Sequence, residues 1–127
     1  MFKMQKIYTV APLGLEGILV EVETNLSQHL PRTILVGLPD TAVQEARERV
    51  WAAIENSELH YPRKKVVINL APAQIRKEGG AYDLAIAISI LQASEQVELP
   101  ASPSQGGLDE KVAFIGELSL TGELKAV

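Results

Sequence analysis

The sequence contains no cysteine, which excludes disulfides and thiolate metal sites. Its two histidines, His29 and His60, lie too far apart in the chain to form a recognisable metal-ligand motif, so no metal site is expected. The opening stretch MFKMQKIYTVAPLGLEG reaches Glu16 without the apolar run of a signal peptide or a membrane span. A cytoplasmic protein without membrane contact is the expectation. Positive charge is not in excess: 12 basic against 16 acidic residues leave a net charge of −4. That balance argues against a domain coated in positive charge for nucleic acid, although it leaves room for a local basic patch. No Gly-x-x-x-x-Gly-Lys-Ser/Thr phosphate loop occurs, and no serine sits in a Gly-x-Ser-x-Gly elbow or beside a histidine. The chain by itself therefore lacks the recognisable parts for nucleotide binding or for a serine nucleophile.

What is present is an ordinary globular composition, 46% hydrophobic and 22% charged over 127 residues. One domain of that length buries about two-thirds of the surface its unfolded chain exposes. IYTVA at 7–11 is β-branched and aromatic, and residues 18–26 alternate, with Ile18, Val20, Val22, Thr24 and Leu26 on one side and Leu19, Glu21, Glu23 and Asn25 on the other. The two segments predict a hairpin of half-buried strands. RTILVGL at 32–38 supplies a third strand. The period then changes: Val43, Ala46, Val50, Ala53 and Ile54 share a face opposite Gln44, Glu45, Glu48, Glu55 and Asn56, which predicts an amphipathic helix over about 40–57 with Asp40 as its N-cap. KKVVINLA at 64–71 reads as a strand and DLAIAISILQA at 83–93 as a helix buried nearly all round. Ser89 within it reads as a packing residue. ELPASPSQGGLDE at 98–110 is a loop, and VAFIGELSL, Thr121-Gly122 and ELKAV form a hairpin. The last strand stops at Val127 in mid-pattern, so a fragment of a longer polypeptide is expected.

Two features invite a functional reading beside a structural one. Strand, turn and helix over 68–91 place Lys77, Glu78, Gly79 and Gly80 before Asp83, where backbone amides at a helix N-terminus can face an anion; equally, the glycines merely permit a tight turn. Arg63, Lys64, Lys65, Arg76 and Lys77 flank the two ends of one strand and are candidate DNA contacts, though a six-residue strand separates its ends by about 20 Å. An ordinary solvated surface is the alternative. Of the two groups, Arg76 and Lys77 sit beside the helix N-terminus, whose amides and dipole favour phosphate, so they are expected to outweigh the other three.

Four segments carry a resemblance: Val36-Gly37-Leu38-Pro39-Asp40-Thr41-Ala42-Val43 with Glu45-Ala46-Arg47-Glu48-Arg49-Val50; Asn69-Leu70-Ala71-Pro72-Ala73; Lys77-Glu78-Gly79-Gly80-Ala81-Tyr82-Asp83-Leu84; and Gly116-Glu117-Leu118-Ser119-Leu120-Thr121-Gly122-Glu123-Leu124. Together they resemble the N-terminal domain of the ComM/YifB family of magnesium-chelatase-like AAA+ ATPases, which is linked to competence and DNA transformation. The resemblance implies an α/β fold of the Lon-protease-like, ribosomal-protein-domain-like kind, a mixed sheet with two main helices. It also implies that the single domain at 1–127 precedes an AAA+ module carrying ATP and magnesium, in a parent protein that is an ATPase and assembles as a homo-hexamer. In Lon proteases a catalytic serine lies in the turn that corresponds to Lys77 through Asp83, and here Ala81 takes its place. The partner lysine of that dyad would fall beyond Val127. The resemblance thus implies a non-catalytic accessory domain serving ring assembly or DNA contact. A hydrolase with an unrecognised site and a pure protein-interaction module are the competing classes.

Overall fold

The computed structural model describes residues 6–13, 16–72, 80–98 and 113–125. The predicted loop at 98–110 falls almost wholly outside them, as do Arg76, Lys77, Glu78 and Gly79. Strands β1 (Ile7–Leu13) and β2 (Glu16–Ser27) pair antiparallel as a hairpin, with Val10 opposite Leu19. β3 (Arg32–Val36) leads into helix α1 (Asp40–Asn56), which crosses back to β4 (Lys65–Ala71), parallel to β3. β4 also pairs antiparallel with β2, so the four-stranded mixed sheet has the order β1-β2-β4-β3. Helix α2 (Asp83–Ala93) follows, and a short hairpin, β5 (Glu117–Leu118) with β6 (Leu124–Lys125), stands apart from the main sheet.

The period-2 pattern decides which face of the sheet is covered. Val20 and Val22 of β2, Val66, Ile68 and Leu70 of β4, Leu35 of β3 and Ile7 and Ala11 of β1 are buried on one side. α2 packs against β1 and β2, α1 lies over β3, and the helices touch each other, so both cover that single face. The opposite face keeps Leu19 and Val36 exposed. The apolar positions foreseen for α1 behave accordingly: Ala46, Val50, Ala53 and Ile54 are buried. In α2, Ile86 and Ile90 are almost entirely sequestered, and Ser89 Oγ lies 2.7 Å from Thr24 Oγ1, tying the helix to β2.

Three local expectations need correction. The N-cap of α1 is Pro39, not Asp40: its extended backbone ends β-type geometry, and its carbonyl accepts from the amides of Ala42 (2.9 Å) and Val43 (3.1 Å). Asp40 begins the helix, where its charge still suits the dipole but its side chain caps no amide. β3 stops at Val36 because Gly37 takes φ = 103°, a left-handed conformation that breaks the extended run. The strand foreseen over 112–120 narrows to Glu117–Leu118, because the preceding groups bond elsewhere. The Phe114 amide donates to Tyr8 O at 2.8 Å, and Gly116 bonds to the α2 turn.

Candidate functional site

The segments that carry the family resemblance are far apart in sequence, and the described parts of all four make contacts with one another. Gly37 sits against the Leu70 carbonyl, so closely that a side chain there would collide with it; this joins the first segment to the second. The first also meets the third and fourth through one ion pair whose acid is buried and whose base is partly exposed. Arg49 projects from α1 and donates from Nε to Asp83 Oδ2 at 2.7 Å and from Nη2 to Asp83 Oδ1 at 3.2 Å, a bidentate arrangement. Asp83, the first residue of α2 and only 1% exposed, also accepts from the Leu118 amide at 3.2 Å. One carboxylate thus holds two helices and a hairpin. Burial pushes the Asp83 carboxyl above its ordinary value, and the hydrogen bonds from Arg49 pull only partly against that rise. The same hydrogen bond raises Arg49 further above its already high value, keeping it a cation.

The turn before α2 is stapled to the hairpin. The Gly116 amide donates to Ala81 O at 2.9 Å, and the Leu84 amide donates to Gly116 O at 3.1 Å. Gly80 faces the Glu117 side chain, and a methyl group added at Gly80 would come within 2.8 Å of Glu117 Oε1. At its one described residue, Gly80, the turn is packed against the hairpin. The space beside Gly80 is filled by the Glu117 carboxylate, and the amides of Asp83 and Leu84 are bonded to Gly80 O at 3.1 Å and Gly116 O at 3.1 Å. Gly80 is small because Glu117 needs the room. Among the described residues, no group of three or more His, Asp or Glu side chains is gathered for a metal ion.

Ala81 occupies the position beside the Gly116-Glu117 backbone, and its methyl group offers neither a nucleophile nor a proton. Of the basic candidates, Arg63 is exposed and Lys64 and Lys65 are half-exposed at the start of β4. The register sets Arg32 of β3 beside Lys65, which adds a fourth cation to that end of the sheet. Arg76 and Lys77 lie outside the described residues. Glu21 and Glu23 lie on the uncovered side of β2, and Glu21 pairs loosely with Lys6 at 3.7 Å. They form a solvated surface.

Residues 22–127 match the family model described as subunit ChlI of magnesium chelatase. The chain belongs to the ComM/YifB branch of the magnesium-chelatase ChlI family. It is 50% identical over 121 residues to the uncharacterized protein YifB of Escherichia coli, and 42% identical to the competence protein ComM of Haemophilus influenzae. Each alignment covers 95% of this chain and 22% of the relative. An uncharacterized protein of Mycobacterium tuberculosis is 37% identical over 96% of the chain and 23% of its own length. The chain therefore spans about a fifth of the length of the curated relatives it matches. Magnesium-chelatase-like relationship is thus established for the residues whose contacts are described above.

Two features escaped the reading of the sequence. Arg49 falls three residues after Ala46 and four before Ala53, on the edge of the apolar stripe of α1, and a charge so placed signals a buried acid partner. Trp51 falls on the polar face with Gln44, Glu48 and Glu55, where a large aromatic has no core to enter. It is 53% exposed.

Proposed function

We propose that this chain is a non-catalytic accessory domain of a longer, cytoplasmic, magnesium-chelatase-like AAA+ ATPase involved in DNA processing, and that its work is to make protein contacts during ring assembly. One observation carries the reading: the residues of the family motifs are engaged with one another. Asp83 is committed to Arg49 and to the Leu118 amide, and Gly80 accommodates Glu117; the resemblance adds that Ala81 stands where a nucleophile would be. Motif residues consumed in this way keep a shape rather than turn over a substrate. ATP and magnesium are assigned to the remainder of the parent protein, where a phosphate loop would have to lie. The competence protein among the relatives supports the link to DNA processing.

The test has two arms. The purified 127-residue chain, given ATP with magnesium or a casein substrate, should show turnover no higher than a buffer blank; activity abolished by a point substitution within this chain would sink the non-catalytic reading. The parent protein lacking these residues should assemble into smaller particles than the intact protein, as weighed by mass photometry. Particles of unchanged size and occupancy would rule out the assembly role.

DNA contact is the second reading, favoured by one arrangement: Arg32 beside Lys65, with Arg63 and Lys64 next in the chain. Against a net charge of −4, such a patch binds weakly alone and gains strength when several copies line a ring.

A further inference from the structure

A groove of about 440 Å³ runs along the outer face of α1, lined by Trp51, Arg47 and Glu48 of the helix, with Tyr61, Thr33 and Leu120 among its walls. We infer that this groove and the basic end of the sheet beside it bind single-stranded nucleic acid, with a base stacked on Trp51 and the flanking phosphates on Arg47 and on the cations of β3 and β4. The inference deepens the second reading above, that this chain contacts DNA, and rests on it.

Stacking needs an open aromatic face that is already held in place. Trp51 supplies one, being 53% exposed on a helix whose opposite side is buried in the core. The Tyr61 hydroxyl lies 2.6 Å from Thr33 Oγ1, which ties a second ring to β3. Asn56 Nδ2 donates to the Leu120 carbonyl at 2.6 Å, so the exposed Leu120 is fixed to the end of α1. Walls set beforehand require little ordering when the groove is filled. Its volume falls within the range of about 300–1,000 Å³ usual for small-ligand sites.

The charges around the groove are those of a polyanion site. Arg47 is exposed, makes no ion pair among the described residues, and bears with its charge on Tyr61. Arg32 precedes Thr33 in β3 and stands in register beside Lys65, while Arg63 follows Tyr61 by two residues, at most about 7 Å of chain. None of Arg32, Arg63, Lys64 and Lys65 has a carboxylate partner among the described residues. Phosphates recurring along a strand would meet these cations in turn, and Glu48, the acid of the lining, would accept from the exocyclic amine of a base.

The open rings select the form of the nucleic acid. A duplex keeps its base faces in its own stack and shows only base edges in its grooves. A single strand offers free faces, and aromatic side chains beside a positively charged groove bind it whatever its sequence. An acidic peptide would satisfy the cations but leave the rings without a planar partner.

Trp51 is the only tryptophan in the chain, so its fluorescence reports on this groove alone. At about 50 mM salt, an oligothymidylate of about ten nucleotides should quench that fluorescence saturably, whereas an abasic oligomer of equal length and polyglutamate should leave it unchanged. By anisotropy of the labelled oligothymidylate, Trp51→Ala should bind about tenfold more weakly, the loss of one stacked base. Trp51→Phe, which keeps a ring, should recover most of that loss. Binding without quenching, or equal affinity in Trp51→Ala, would overturn the inference. So would quenching by the abasic oligomer, by polyglutamate or by duplex DNA as strong as that by the single strand. Duplex binding that Arg63→Ala/Lys64→Ala/Lys65→Ala weakens, with Trp51 fluorescence unchanged by either form, would sink this inference and leave the DNA-contact reading standing; no binding of either form would sink both.

Discussion

Replacing Arg49 by methionine tests whether the Arg49–Asp83 pair is the joint on which the fold depends. The substitution keeps an unbranched stem of similar reach and removes the guanidinium. Asp83, 1% exposed, is then left with the Leu118 amide at 3.2 Å as its remaining described donor. Removing one partner of a buried ion pair costs about 3–5 kcal/mol, most of it the penalty of the uncompensated charge. With a urea slope of about 2 kcal/mol per molar for a domain of this size, the unfolding midpoint should fall by about 2 M. The opposite single change, Asp83→Asn, should cost less. Arg49 is partly exposed and can turn toward Glu45, 3.7 Å away, while an asparagine oxygen can still accept from Leu118. The double variant should therefore be less unstable than the sum of the two single changes, as expected for residues in contact.

The pH dependence follows from the same geometry. Burial raises the Asp83 pKa above its ordinary 3.8, so the folded state holds this proton more tightly than the unfolded chain. The group's contribution to stability is fully present below the unfolded value and is lost as pH rises through the folded value. Removing Arg49, whose hydrogen bond and charge lower this pKa, moves the folded value higher still. The deficit of Arg49→Met should accordingly be largest at neutral pH and shrink as the solution is acidified toward the ordinary carboxylate range. Paired urea titrations of wild type and variant across that range decide it. A midpoint shift worth less than about 1 kcal/mol at neutral pH, the range of an exposed salt bridge, would refute the reasoning. A deficit that grows on acidification would refute it too.

Ile90→Ala should cost about 2–5 kcal/mol, since Ile90 is fully buried between α2 and the sheet and its truncation leaves a cavity; a loss under about 1 kcal/mol in urea would contradict that packing. Duplex DNA anisotropy at about 50 mM salt, where phosphate contacts are least screened, should show weaker binding for Arg63→Ala/Lys64→Ala/Lys65→Ala if the basic end of the sheet touches DNA. Comparison with Arg76→Ala/Lys77→Ala tests the expectation that the turn outweighs the strand end: loss confined to the triple variant would reverse that order.

The strands of the main sheet and the first helix were legible because each has one covered face, and the second helix because it is apolar and buried nearly all round. Alternation along Ile18 to Leu26 and the stripe from Val43 to Ile54 reflect burial on a single side, which a linear sequence records as a period of two or of about 3.6. The four motif segments gave the family for a related reason, since each is a run of neighbours in the chain. What the sequence alone did not determine is which segments meet. The bond from Arg49 to Asp83 spans 34 positions and that from Asp83 to Leu118 spans 35, and no local pattern encodes a partner at such a distance. The glycine turn was ambiguous for the same cause. At Gly80, only the folded hairpin brings Glu117 against the turn. The groove beside Trp51 likewise has walls from β3, from the segment after α1 and from the hairpin turn, so it exists only once those elements are packed. Periodicity fixes the elements because burial is a local average; a site is a coincidence of distant residues, and only the tertiary structure decides it.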